Sequence, residues 1–258
     1  MQSDELQRTL THIPPMDDDQ LRGWVAMMLG IDVPRKPLAY LSHTFFERPG
    51  DVIVWANRGG GKTFYGAVAT LLDMIFKPGI KLCILGGSFD QSARMHEHLR
   101  SFLDTDALRP IVDGRITRTG LRLTNGSSVA LLAQAETSVR GQRVHKLRCD
   151  EVELFNDDIW RAAQFVTRGG TCGPTRVPGR IEVFSTMHQP FGLMSELVQR
   201  DDANVLRWNA LDVIERCEPA RDCETCPLWH ACEGRAKQAD GFVPVDDVIA
   251  QVRRSSAT

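Results

Sequence analysis

The sequence predicts an α/β fold: a mainly parallel central sheet flanked by helices, followed by a small cysteine-rich appendage. Three observations lead to it. Between positions 51 and 210 short apolar runs alternate with segments of helical periodicity, the pattern of parallel strands joined by helical crossovers. A glycine turn, Gly59-Gly60-Gly61, separates one buried run from the helix after it. Four of the seven cysteines fall between positions 217 and 232, where the apolar periodicity has already given way.

Taken in order, residues 1–48 read as a helical lead-in. Asp17-Asp18-Asp19 precedes Leu21, Trp24, Val25, Met28 and Leu29, an apolar face at helical spacing behind acidic residues suited to a helix N-terminus. Pro34 and Pro37 then interrupt the pattern. The core, 49–212, opens with a buried strand over 51–55 and a helix over 63–76 that Pro78-Gly79 ends. A second strand follows at 81–85, then a helix at 91–103. Positions 115–123 and 128–132 read as a hairpin about the Asn125-Gly126 turn. Further strands are expected at 144–149, 180–184 and 205–210, with a helix at 159–166. Residues 213–258 form the cysteine-rich remainder.

Charge excludes some classes of function. Lys plus Arg number 31 and Asp plus Glu 33, a net charge of −2, so neither a basic DNA-coating tail nor an acidic disordered chain is present. The first residues are acidic and carry no apolar signal run, and no stretch is long enough to span a bilayer. A soluble, cytoplasmic protein without a membrane partner is expected.

Ala56-Asn57-Arg58-Gly59-Gly60-Gly61-Lys62-Thr63 fits a phosphate-binding loop, with Ala56 in place of the usual first glycine. Glycines let successive N–H groups curl around a phosphate chain, and the following helix directs its positive end at the charge. In such a loop Lys62 reaches the β- and γ-phosphates and the Thr63 hydroxyl ligates Mg²⁺, so ATP and Mg²⁺ are the expected cofactors. Hydrolysis also needs acids. Asp150 and Glu151 stand at the end of the 144–149 strand, Asp150 to hold Mg²⁺ and Glu151 to polarise the attacking water; Glu153 competes for the second role.

Three stretches together resemble the large subunit of tailed-bacteriophage terminase: W-A-N-R-G-G-G-K-T (55–63), V-R-G-Q-R-V-H-K-L-R-C-D-E (139–151) and V-F-S-T-M-H-Q-P-F-G (183–192). The resemblance covers most of 35–215. It implies a P-loop NTPase of the additional-strand, RecA- or helicase-like type, the ATPase motor that drives double-stranded DNA into a capsid. It implies further that Arg58 contacts the γ-phosphate. Ser185 and Thr186 would belong to a coupling motif that senses that phosphate, and Arg140 would be a finger offered to a neighbouring subunit, unless it merely flanks the strand. A homo-oligomeric ring on a portal protein, a terminase small subunit and duplex DNA are the partners the resemblance implies. Large terminases also carry a nuclease; here the sequence stops near Val252-Arg253-Arg254, so an isolated motor half without cleavage activity is expected. A nucleotide-gated DNA-binding adaptor and a helicase-like translocase outside packaging are the alternatives.

Cys217, Cys223, Cys226 and Cys232 are spaced to hold a tetrahedral Zn²⁺ or a [4Fe-4S] cluster, with His230 able to replace one thiol and free thiols or a redox disulfide as the alternative. Cys83 and Cys149 sit in apolar runs as small hydrophobes. Between Arg109 and Arg148 eight basic residues (Arg109, Arg115, Arg118, Arg122, Arg140, Arg143, Lys146, Arg148) face only Asp113 and Glu136. They form either a DNA-phosphate stripe or a solvated hairpin with paired charges. Tyr40 and Phe45 are candidates to stack on the adenine ring, or else core.

Overall fold

A computed structural model describes residues 9–132, 141–186 and 191–255. Its main sheet contains β1 (Val52–Ala56), β2 (Lys81–Gly86), β3 (Gly120–Arg122), β4 (Ser128–Leu132), β5 (Lys146–Asp150), β8 (Arg180–Ser185) and β9 (Asn204–Trp208); β6 (Gly170–Cys172) and β7 (Thr175–Val177) pair as a separate hairpin. The strand order is β3-β4-β2-β5-β8-β1-β9, parallel except for the β3–β4 pair. Strand β8 thus lies between β1, which leads into the glycine turn, and β5, which ends in the acidic pair. The insertion is the additional strand that the fold class predicts.

The helices are α1 (Asp18–Leu29), α2 (Arg35–Phe45), α3 (Lys62–Phe76), α4 (Phe89–Leu103), α5 (Asp157–Ala163), α6 (Leu193–Val198), α7 (Trp229–Cys232) and α8 (Val245–Ser255). The Asp17 carboxylate caps α1 by accepting from the Gln20 N–H at 2.8 Å, and Gly30 ends the helix in a left-handed conformation. Alternation along the strands sorts the core to both faces of the sheet. Val52 and Val54 join α1–α4 on one side, while Ile53, Cys83, Leu147 and Cys149 meet α5 and α6 on the other. Burial pushes the Cys83 thiol up to about 12 and the Cys149 thiol higher, as befits inert packing groups. A third cluster gathers Ile214, Cys217, Leu228, Cys232, Ala236, Val245, Val248 and Ile249.

Several expectations change. Pro37 does not interrupt the lead-in; it sits in the first turn of α2, where its missing N–H would lack a helical partner anyway. The first hairpin strand shrinks from 115–123 to Gly120–Arg122, and α5 ends at Ala163 rather than at 166.

The largest correction concerns the basic stripe. Lys146 and Arg148 are fully buried and cannot meet DNA. Arg148 donates to Asp73 of α3 at 2.6 Å, to Glu182 of β8 at 2.9 Å and to the Thr70 hydroxyl at 2.9 Å. Lys146 Nζ lies 2.8 Å from Glu47 and 3.1 Å from Asp73, and Lys77 closes the network onto Asp73 at 2.5 Å. Tyr40 is part of it as well, donating to Glu182 at 2.7 Å. Burial alone would raise both carboxyls. Lys146, Lys77 and Arg148 nevertheless hold Asp73 well below the usual carboxylate range, and Arg148 with Lys146 brings Glu182 down to about 2.

Removing one member strands the others in a dry interior. Arg148→Met is expected to lower unfolding stability by about 3–5 kcal/mol at pH 7 in urea titrations. Because the folded Glu182 carboxyl is depressed from 4.5 to about 2, its contribution is present above 4.5 and lost as pH falls through about 2. The gap between variant and parent should therefore narrow over that interval.

Candidate nucleotide site

The site forms at the C-terminal end of the parallel strands, where a β1–turn–α3 unit meets the ends of β5 and β8. Gly59 and Gly61 both adopt φ of +79°, a left-handed conformation that side chains resist. Gly60 has a different constraint: a Cβ there would stand 2.6 Å from Asn57 Oδ1 and 3.1 Å from Trp208 Nε1. Trp208, at the end of β9, donates its indole N–H to the Gly60 carbonyl at 2.8 Å and so pins the turn to the sheet. Sequence reading gave Trp208 no role in the site; only its place at the end of a strand adjacent to β1 reveals one.

Helix α3 begins at Lys62, one residue earlier than expected. The Lys62 side chain is 6% exposed; its ammonium donates to the Asn57 carbonyl at 3.2 Å and lies 3.9 Å from Glu151 Oε1. Burial lowers its pKa, opposed by Glu151 and Asp150. The Thr63 hydroxyl donates to Asp150 Oδ2 at 2.8 Å. Asp150 Oδ1 is buried and takes no hydrogen bond. A carboxylate oxygen without a partner, next to a threonine hydroxyl, is the donor chemistry of a hard cation, so these two residues fit Mg²⁺.

Glu151 follows with φ of +52°, and its N–H donates to the Phe184 carbonyl of β8 at 2.7 Å. Its carboxylate accepts from Ser185 Oγ at 3.4 Å. The structure thus brings together Lys62, Thr63, Asp150, Glu151 and Ser185; Thr186 follows half-buried. Glu153 turns away instead, accepting the Met194 N–H at 2.8 Å in the first turn of α6. Arg58, exposed, lines an open pocket of about 540 Å³ with Lys62, Thr63 and Glu151. Gln91, Arg94 and His98 of α4 line it as well. Sequence reading missed these three, although their spacing puts them on one helical face. Arg140 lies outside the described residues.

The other candidates separate from this pocket. Tyr40 is fully buried in the ion network, and Phe45 packs edge-on against Phe46 and Phe76, so both are core and neither is free to stack on adenine. Arg115, Arg118, Arg122 and Arg143 are exposed, and Arg109 lies 3.7 Å from Asp104. Cys217, Cys223, Cys226 and Cys232 are free thiols lining one small apolar cavity of about 20 Å³, whereas His230 is exposed and not among its walls. Among the described residues no three His, Cys, Asp or Glu side chains already stand as a metal-holding group.

Strand, glycine turn and helix, with β8 between the turn-bearing and acid-bearing strands, define a P-loop NTPase fold. A family description for the N-terminal part of terminase large subunits, of the T4-like virus type, matches residues 53–214, and the chain belongs to that family. Among curated proteins none matches it. Of solved structures, the HK97 bacteriophage large terminase is similar over 93% of this chain and 52% of its own, with TM-score 0.67 and 13% identity. The large terminase of a thermophilic bacteriophage covers 68% of this chain and 45% of its own, with TM-score 0.53 and 16% identity. The ATPase domain of the Thermus phage P74-26 large terminase covers 76% and 86%, with TM-score 0.53 and 14% identity. At these identities the likeness is one of fold. The chain spans about half the length of the first two of these proteins.

Burial raises the Asp150 carboxyl from 3.8 to about 6. A folded pKa above the unfolded one means that ionising Asp150 weakens the fold as pH rises through this interval. In EDTA, Asp150→Asn is therefore expected to stabilise the protein at pH 8 by up to about 3 kcal/mol, with the gain absent near pH 3.5. Thermal unfolding at the two pH values checks it.

Proposed function

We propose that this chain is an ATP-hydrolysing, Mg²⁺-dependent motor of the terminase kind that drives double-stranded DNA into a capsid. The observation that carries the reading is the meeting of Lys62, Thr63, Asp150 and Glu151 at one end of the sheet, from elements 87 residues apart in the Thr63–Asp150 contact. Lys62 would hold the β- and γ-phosphates, and Arg58 the γ-phosphate from the exposed side. Thr63 and Asp150 would hold Mg²⁺, which supplies charge neutralisation on the phosphate oxygens. Glu151, 25% exposed and facing the pocket, would orient and deprotonate the attacking water. Ser185, bonded to that carboxylate and carried on β8, would report the state of the phosphate to the rest of the sheet. Thr186 would extend this relay, and Arg140 would complete a neighbour's site in a ring on a portal.

The exposed Arg115, Arg118, Arg122 and Arg143 support contact with DNA phosphates without base readout. The four thiols line one cavity, and on closing around Zn²⁺ or a [4Fe-4S] cluster they would brace the C-terminal segment.

Lys62→Ala is expected to abolish DNA-stimulated hydrolysis. Glu151→Gln should lower its rate by roughly 10²–10⁴-fold while retaining ATP binding. Hydrolysis by Glu151→Gln at the parent rate would remove Glu151 as the base. Metal analysis of freshly purified protein should find zinc, or iron with an absorption band near ~400 nm; protein devoid of both would leave the thiols as packing groups.

A further inference from the structure

Helix α4 turns one face to the phosphate pocket. Gln91, Arg94 and His98 follow one another at helical spacing and line it together. At one end of that face Gln91 packs beside the turn after β2. A Cβ on Gly87 would lie 2.5 Å from its Oε1, 2.8 Å from Leu154 Cβ and 3.3 Å from the Glu151 carbonyl oxygen. At the other end the His98 ring meets Phe64 of α3 edge-on, with 5.3 Å between centroids. Arg94 stands between the two, so it leaves the helix on the same side. The helix itself is fixed: Met95 is fully buried and so close to α3 that a Cβ on Gly66 would lie 2.6 Å from its Cε.

The charges of this pocket do not balance. Arg58, Lys62 and Arg94 line it with Glu151 as the one carboxylate. Burial lowers the His98 pKa, which keeps that ring neutral near pH 7. Lys62 is already committed, to Glu151 at 3.9 Å and to the Asn57 carbonyl. The Arg94 guanidinium makes no hydrogen bond or ion pair among the described residues. An unpaired planar fork in a cationic pocket suits two oxygens of one phosphate group.

Resting on the triphosphate reading above, we propose that Arg94 is a further catalytic residue, a cation that contacts the γ-phosphoryl group of the nucleotide held by its own chain. Glu151, which would place the attacking water, lines the same pocket, so the guanidinium meets the phosphate chain at its reacting end. In the step it assists, the water oxygen bonds to the γ-phosphorus and gives a proton to Glu151. The bond to the bridging oxygen breaks, its electron pair leaving with ADP. Charge shifts onto the phosphoryl and bridging oxygens as this happens, and a fixed cation beside them stabilises the transition state more than the bound substrate. Arg58 rides on the glycine turn, whereas Arg94 is rooted in a second helix. A triphosphate therefore clasps α4 to the turn, and a diphosphate does not.

Calorimetry of the full chain with Mg²⁺ and either ADP or a non-hydrolysable ATP analogue tests this, together with ATP turnover. Arg94→Ala should bind the analogue about tenfold more weakly while holding ADP within about twofold, and should lower kcat by about 10²-fold. Arg94→Lys should recover most of the analogue affinity; should Arg94→Ala fail to fold, Arg94→Gln is measured in its place. Mixing Arg94→Ala with Lys62→Ala should restore no turnover, because each chain supplies its own arginine. Equal weakening of ADP and the analogue, an unchanged analogue affinity, a parental kcat, or turnover restored on mixing overturns the role of Arg94 alone. A parent that binds neither nucleotide overturns the phosphate site first, and Arg94 with it.

Discussion

One buried guanidinium, that of Arg148, joins the three elements on which the candidate phosphate site is built. It bridges Asp73 near the end of α3 and Glu182 within β8, and is itself part of β5. Each of these elements carries a candidate site residue toward its other end: Thr63 lies in the first turn of α3, Asp150 ends β5 and Ser185 ends β8. Asp73 lies ten residues from Thr63, about 15 Å along the helix, while Arg148 and Glu182 lie only about 7–10 Å from the site residues of their own strands. A slip of either strand relative to the helix would break charge pairs in a medium that cannot solvate them. The network therefore fixes the register in which Thr63, Asp150 and Ser185 meet.

Phosphate-loop and acid residues were legible in the sequence because their chemistry is local. Gly59 and Gly61 are recognisable as the residues that tolerate a left-handed turn, and Lys62-Thr63 follows them directly. The ion network was not legible. Lys146 and Arg148 sit in the sequence among arginines that face solvent, and their carboxylate partners come from Glu47, Asp73 and Glu182, tens of positions away. A charge in a strand is outward-facing by default, and the default fails where the strand is central and a helix presents an acid above it. Tyr40 stayed open between ring stacking and core for the same reason: its hydroxyl has a partner in Glu182, which only the fold brings near. Pro37 misled differently, because a proline is a breaker in a helix interior and harmless in a first turn.

The choice between Glu151 and Glu153 shows what spacing leaves undecided. Two residues apart on an extended strand, they would share a face. Instead the chain leaves β5 through a left-handed residue at Glu151 and enters a short 3-10 turn over Val152–Leu154. The reversal aims Glu151 at Lys62 and the Ser185 hydroxyl, and sends Glu153 to the start of α6. A glutamate in that conformation is strained by an amount of order 1 kcal/mol, and strain is tolerated where the surrounding bonds over-determine it. Here the Glu151 N–H is held by Phe184, the residue before Ser185, so the carboxylate and the serine are held side by side.

In the function proposed above, that linkage makes β8 the route between nucleotide and the rest of the molecule. It is hydrogen-bonded to β1 on one side, with Trp55 opposite Ser185, and to β5 on the other, with Asp150 opposite Phe184. On the far side of β1, β9 supplies Trp208 to the glycine turn, and the chain then runs into Val213 and Ile214, which hold the Phe242 segment. Four adjacent strands, β5-β8-β1-β9, therefore connect the acid pair and the glycine turn to the C-terminal segment, which follows β9 after a short 3-10 turn over Ala210–Asp212. A change in the charge facing Glu151 can be felt at Ser185 through one hydrogen bond, whereas the C-terminal segment responds through β9 and the turn itself. The two routes diverge at β1, so substitutions in the thiol-bearing segment should alter how nucleotide is held while leaving the Glu151–Ser185 contact intact.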